Sequence, residues 1–205
     1  MSARIEPTRL RVHALVTDWP TAAQAAHDGA TVIQLRLKGA TTEQRVSTGR
    51  RLLELRTVVI VNDDVEAALA IGAHGVHLGE EDAGAERAVR EGLVVGLSAG
   101  TADAARKAAA NGASYVGAGP VWPTRSKLDA GPAIGLEGLG TIAAAVSIPV
   151  VAIGGVDQHN AGDCIAAGAS GVAILSAVAR TRAIRHAVDL AIARRPATPR
   201  ALTTY

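Results

Sequence analysis

Gly168-Ala169-Ser170-Gly171-Val172-Ala173-Ile174-Leu175 joins the end of an Ala-rich, helix-periodic stretch to a run of apolar, β-prone residues. The same joint recurs earlier in the chain. Gly29-Ala30 precedes Thr31-Val32-Ile33-Gln34-Leu35, Gly72-Ala73 precedes His74-Gly75-Val76-His77-Leu78, and Gly112-Ala113 precedes Ser114-Tyr115-Val116-Gly117. A helix stops readily on a residue at positive φ, which glycine adopts without a Cβ clash. An apolar run directly after such a stop reads as a strand. Each copy is therefore a helix returning to a parallel strand.

Working outward from these joints, strands are expected near 12–17, 31–36, 58–62, 74–78, 93–97, 114–118, 149–153 and 171–175, with helices between them, for example at 101–111 and 158–167. Strict βα alternation implies a parallel sheet covered by helices. Eight such units in 205 residues imply an α/β chain closed into a single (β/α)8 TIM barrel, near the lower size limit of that fold. The domain spans 1–205, with a tail expected to be flexible from about 195. A doubly wound open sheet is the rival architecture, but no G-x-G-x-x-G opens the first helix.

Composition narrows the function classes. The chain is 48% hydrophobic but only 2% aromatic and lacks Phe, so its core is expected to be Val, Ile, Leu and Ala. With 21 basic against 19 acidic residues it carries no basic stripe, and stacking aromatics are scarce, which argues against nucleic acid. The basic stretch from Arg194-Arg195 to Arg200 reads as a solvated terminus. The single cysteine, Cys164, suits a reducing cytoplasm. No apolar run reaches bilayer length, and the start lacks a signal-peptide core. A cytoplasmic protein without membrane attachment is the expectation.

Barrel active sites gather where strands end, and the polar residues there form a pattern. Gln34-Leu35-Arg36-Leu37-Lys38 alternates at period two, so Gln34, Arg36 and Lys38 point into the barrel mouth while the leucines face helices. Two cations on an inner face are costly unless an anion or water meets them. Together they suit a polyphosphate; the plainer alternative is a solvated strand face. Asn62-Asp63-Asp64 ends the third strand and Glu80-Glu81-Asp82 follows the fourth. Asp64 is expected to cap a helix, whereas Asp63 and Asp82 could share a hard cation with substrate phosphates.

Later in the chain, Pro123-Thr124-Arg125-Ser126-Lys127 lies in an irregular stretch from Gly119 to Gly135 and reads as a lid over an anion, or as solvated surface. Gly154-Gly155 and Leu175-Ser176 close the last two strands, the usual phosphate position in barrels. No H-E-x-x-H, paired C-x-x-C, Walker A loop or G-x-S-x-G occurs. His77 is near the mouth and as readily structural, and Cys164 reads as inert packing. The site is one for anions and a metal, without an evident nucleophile and base.

These pieces, in this order, resemble the thiamine phosphate synthase family. The likeness runs from Leu15-Val16-Thr17-Asp18 to Ile174-Leu175-Ser176-Ala177, through Gln34-Leu35-Arg36-x-Lys38, Asn62-Asp63, Gly75-Val76-His77-Leu78-Gly79, Gly117-x-Gly119-Pro120 with Pro123-Thr124, and Ile153-Gly154-Gly155. The resemblance implies coupling of 4-amino-2-methyl-5-hydroxymethylpyrimidine diphosphate with 4-methyl-5-hydroxyethylthiazole phosphate, or its carboxylated form, with loss of pyrophosphate. It implies that Gln34, Arg36, Lys38, Asn62, Ser98 and Lys127 hold the pyrimidine diphosphate, that Asp63 and Asp82 bind Mg2+, and that Thr124, Ser126, Gly155, Leu175 and Ser176 hold the thiazole phosphate. Pyrophosphate leaves first, and the unprotonated thiazole nitrogen attacks the pyrimidine cation, so no general base is required. Arg36, Lys38 and Lys127 would carry catalysis with Mg2+. Partners are then small phosphorylated molecules, with homo-oligomerisation left open.

Three positions depart from the family's usual pattern. Asp64 stands where Arg is usual and reverses a charge beside the metal; Glu80 replaces Gln; Gly100 replaces a His two residues after Ser98. The rival readings are a thiazole tautomerase-like paralogue, which needs that His, and a non-catalytic barrel that binds a phosphorylated metabolite.

Overall fold

The structure, a computed structural model, describes residues 4–124 and 131–195. Its elements alternate as β1 (Val12–Val16), α1 (Trp19–His27), β2 (Val32–Leu35), α2 (Thr42–Gly49), β3 (Val58–Asn62), α3 (Val65–Ile71), β4 (Gly75–Leu78) and α4 (Ala85–Arg90). They continue as β5 (Val94–Ala99), α5 (Ala102–Ala110), β6 (Tyr115–Ala118), α6 (Gly135–Ala145), β7 (Val150–Ile153), α7 (Ala161–Ala166), β8 (Gly171–Ile174) and α8 (Thr181–Ala193). Every strand runs parallel to its neighbours, and β8 returns to pair with β1, Val172 opposite Val12. The barrel is closed, which removes the doubly wound alternative.

The Gly-Ala joints are built as their sequence implies. Gly29, Gly72, Gly112 and Gly168 take φ of 99°, 76°, 85° and 114°. In each, the following alanine N–H reaches back five residues, as in Ala73 N–H to the Ala68 carbonyl at 2.9 Å. This main-chain stop satisfies carbonyls that a helix end would otherwise leave bare. A further copy, Gly92-Leu93, makes the same bond to Ala88 at 3.0 Å; leucine after the glycine hid it from the sequence pattern. Helix α7 begins three residues later than expected because Asp157 and Asn160 form a turn, Asp157 N–H donating to Asn160 Oδ1 at 2.9 Å.

Apolar packing falls in two shells. Between sheet and helices lie aliphatic residues such as Ile33, Leu35, Val59, Val61, Val76 and Ile165, all essentially inaccessible. Inside the barrel Leu10, Leu15, Val32, Val58, Ile60 and Val151 pack around Tyr115. The core of Val, Ile, Leu and Ala expected from composition therefore describes most of the buried outer shell, against which Trp19 and Trp122 pack part-buried, and fails inside the barrel at Tyr115. Leu10 belongs to a short 3-10 turn, Pro7–Leu10, that precedes β1 and fills the N-terminal end of the barrel.

Two further expectations meet the structure. Arg195 is exposed as a residue, yet its guanidinium donates to the carbonyls of Ile165 and Ala169. The solvated basic terminus thus does not begin at Arg195, whose fork instead fastens the end of α8 to the last turn of α7. Among the described residues no helix is long and apolar enough to cross a membrane.

Candidate active site

Alternation along β2 sends Ile33 and Leu35 outward to the helices and Gln34 inward, where it is 3% exposed. Arg36 and Lys38 continue that inward row past the strand end. They meet the ends of the other strands around a cavity of about 780 Å³ at the C-terminal mouth of the barrel. Gln34, Arg36, Lys38, Asn62, Asp63, Asp82, Ser98, Thr124, Gly155, Leu175 and Ser176 all line it. Ser126 and Lys127 lie outside the described residues.

Charge is divided across this rim. Lys38 Nζ lies 2.5 Å from Asp63 Oδ2. The Arg36 guanidinium, by contrast, has no hydrogen bond or ion pair among the described residues. Asp63 adopts φ of 66°, a left-handed conformation that a short polar side chain tolerates, and its N–H donates to the His77 carbonyl at 2.9 Å. The chain is thereby turned so that Asp63 faces the cavity. Its neighbour Asp64 faces elsewhere. Asp64 Oδ1 accepts the Ala67 N–H at 2.8 Å, and Oδ2 accepts from Thr42 Oγ1 at 2.8 Å and lies 3.4 Å from Arg45. It caps α3 and does not line the cavity, so the reversed charge stays out of the site.

The other two departures meet one another: Glu80 Oε1 accepts the Gly100 N–H at 2.9 Å, and both residues line the cavity. Asp82 Oδ2 accepts the Gly79 N–H at 2.6 Å, which fixes its carboxylate at the rim. Among the described residues no group of three or more His, Cys, Asp or Glu is arranged to hold a metal. Two carboxylates on one cavity wall, Asp63 and Asp82, are a poor all-protein cage. They are, however, the donor set Mg2+ uses when substrate phosphates and water complete its shell, so these residues fit that ion with a diphosphate present.

The far side is built from main chain. Gly154 and Gly155 take φ of 94° and 68°. A Cβ on Gly155 would sit 2.6 Å from Trp122 Cβ, so only glycine fits where the loops after β6 and β7 cross. Trp122 N–H donates to the Gly154 carbonyl at 3.0 Å, and Asn160 Nδ2 donates to the Gly155 carbonyl at 3.0 Å. Ile134 and Gly135 N–H bond to the carbonyls of Pro120 and Val121, pinning both stems of the stretch after β6.

The cavity floor was not legible beforehand. It holds His13, Leu15 and Tyr115. Cross-strand register places His77 beside Gly96 and Gly96 beside Tyr115, so the two rings meet over a residue with no side chain. His77 Nδ1 is 3.0 Å from Tyr115 Oη, and its Nε2 is 3.2 Å from Ser98 Oγ. His13 packs edge-on against Tyr115 at 5.3 Å, and its Nε2 is buried without a hydrogen-bond partner. Burial first, then the nearby His77, push the His13 pKa down to about 3, so this ring is neutral at ordinary pH. The usable signal was inward register combined with Gly96 and Gly117, small residues that make room for a ring.

Replacing Asp64 with alanine separates its two readings. Loss of the cap is expected to lower stability by about 1 kcal/mol in urea unfolding, with the KM for a diphosphate substrate unchanged. A several-fold rise in that KM without a stability loss would place Asp64 in the site after all.

Comparison with known proteins adds an independent line. A family model described as thiamine monophosphate synthase matches residues 13–178. The thiamine-phosphate synthase of Moorella thermoacetica is 48% identical over 157 residues, covering 73% of this chain and 75% of its own. A solved thiamine phosphate pyrophosphorylase from Pyrococcus furiosus superposes with a TM-score of 0.83 at 34% identity, over 91% of this chain and 98% of that one. An N-(5'-phosphoribosyl)anthranilate isomerase structure from the same organism, at 12% identity and a TM-score of 0.65 over 88% of this chain and 99% of that one, shares the fold alone.

Proposed function

The chain belongs to the thiamine monophosphate synthase family and is a transferase of that kind, and from that premise we propose how its barrel mouth joins the aminopyrimidine diphosphate to the thiazole phosphate with release of pyrophosphate. One observation carries the reading. A cationic side, Arg36 with Lys38, and an acidic side, Asp63 with Asp82, line the same cavity. A departing diphosphate needs both, positive groups on its oxygens and carboxylates to hold its cation.

In this reading Gln34, Asn62 and Ser98 orient the pyrimidine diphosphate, and Arg36 and Lys38 bind its phosphates. Lys127 joins them by family resemblance alone. Asp63 and Asp82 hold Mg2+, which when bound neutralises charge developing on the leaving group. Thr124, Gly155, Leu175 and Ser176 hold the thiazole phosphate on the opposite wall, with Ser126 assigned there on resemblance. As the C–O bond to diphosphate breaks, Arg36 meets growing negative charge from a fixed position. It therefore stabilises the transition state more than the bound substrate. The thiazole nitrogen then forms the new C–N bond. It carries no proton, so no residue has to act as a base. The walls supply orientation, which can account for a large part of a two-substrate rate. A reducing cytoplasm suits a chain whose Cys164 is a buried free thiol.

Incubation of the purified protein with both phosphorylated heterocycles is expected to yield thiamine phosphate and pyrophosphate in equal amounts, and only with Mg2+. Binding of both without product would instead support a barrel that senses a phosphorylated metabolite.

A further inference from the structure

The floor of the cavity holds a hydrogen-bonded row whose direction can be worked out. Tyr115 is 1% exposed, and burial pushes its phenol pKa far up, so the hydroxyl keeps its proton at any working pH. That proton needs an acceptor, because a buried donor left unmet is strongly unfavourable. Among the described residues the acceptor within reach of it is His77 Nδ1 at 3.0 Å. His13, although packed against the phenol, makes no bond through its Nε2. A proton on His77 Nδ1, in the other tautomer or in the imidazolium, would point at the phenol oxygen and strand the phenol proton. Nδ1 therefore accepts, and the neutral ring carries its hydrogen on Nε2. From there it points at Ser98 Oγ, 3.2 Å away. Ser98 receives a hydrogen bond from behind and has its own O–H left to give.

We propose that His77 is a positioning residue, locked by Tyr115 as the Nε2–H tautomer, that makes Ser98 a hydrogen-bond donor toward an acceptor atom, such as a ring nitrogen, of the heterocyclic substrate. The proposal rests on the reading of the site given above and adds a specificity rule to it. A heterocycle presenting an acceptor to Ser98 takes up the hydroxyl proton that His77 leaves free, whereas one presenting an N–H there leaves that proton without a partner and binds more weakly. The glycines around the ring hold the geometry. A Cβ on Gly96 would lie 2.3 Å from Tyr115 Oη and 2.5 Å from His77 Nδ1, and one on Gly117 would lie 2.8 Å from His77 Cε1.

Two measurements test it. In ¹⁵N-histidine NMR of the ligand-free protein, His77 is expected as a single Nε2–H tautomer, and Tyr115→Phe should convert it to a mixture. A predominantly Nδ1–H ring in the unmutated protein overturns the proposal without any variant having to fold. In calorimetry with Mg2+, His77→Ala is expected to weaken binding of the aminopyrimidine diphosphate about tenfold, roughly one hydrogen bond, while leaving inorganic pyrophosphate unaffected. His77→Gln, whose amide can donate toward Ser98, should recover most of that loss. Equal weakening for both ligands, or no recovery, would mean that His77 only packs, and the proposal fails. If the unmutated protein binds pyrophosphate but not the pyrimidine diphosphate, the substrate assignment falls, while the NMR result still decides the tautomer.

Discussion

Replacing Arg36 with alanine is expected to slow turnover about a hundredfold, or about 2.7 kcal/mol of barrier, with the fold intact. Arg36 follows the last residue of β2, and its backbone N–H already bonds to the Val16 carbonyl at 2.9 Å. Alanine keeps that main-chain bond and the strand. What disappears is a half-buried guanidinium without a partner among the described residues, a charge held ready for an anion the protein does not itself provide. Arg36→Lys should recover only part of the loss, since an ammonium cannot present the two parallel N–H groups that match phosphate oxygens. The check is steady-state kinetics with both substrates, beside thermal unfolding of each variant. Unchanged kcat in Arg36→Ala would count decisively against a diphosphate lying along this wall.

The second large effect is expected at Asp63. Asp63→Asn should cut turnover by tenfold to a hundredfold, on the order seen when a metal's surroundings are disturbed, and should raise the Mg2+ needed for half-maximal rate. Asparagine tolerates the left-handed backbone at this position, so the substitution removes charge with little change of shape. It also releases Lys38, whose ion pair with Asp63 is 2.5 Å long. The variant is therefore not expected to be weaker for everything: inorganic pyrophosphate without Mg2+ should bind at least as well as before, because Lys38 no longer has a competing carboxylate. A variant whose Mg2+ response matches the unmutated protein would remove Asp63 from the cation site.

The architecture was legible because it is written in repeated, local chemistry. A glycine at positive φ after an Ala-rich helix and before a Val- and Ile-rich run has few readings, and the run of such joints led to a closed barrel. Period two along Gln34-Leu35-Arg36-Leu37-Lys38 told inward from outward, and the rim residues followed from their places at strand ends. The floor was not legible for a physical reason. His13, His77 and Tyr115 come from three strands, and what makes them a unit is cross-strand register, which no single segment encodes. In sequence His77 reads as readily structural as functional, because the register that puts Gly96 between it and Tyr115 belongs to the sheet. Asp64 shows the converse. Its cap on α3 was readable locally, but the reversed charge looked like a change in the site because sequence adjacency to Asp63 hid that the two side chains part company. Arg195 reads in sequence as part of a solvated basic stretch because its carbonyl partners, Ile165 in α7 and Ala169 in the joint after it, lie far away along the chain.

The glycine stops at the base of the barrel close on main-chain hydrogen bonds, and the side chains beside them, Thr31, His74 and Ser114, accept N–H groups of the adjacent strand. None of these residues lines the cavity at the opposite rim. Such a molecule keeps its foundations and its chemistry in separate sets of residues, so the rim can be rewritten for another phosphorylated compound without renegotiating how the cylinder closes.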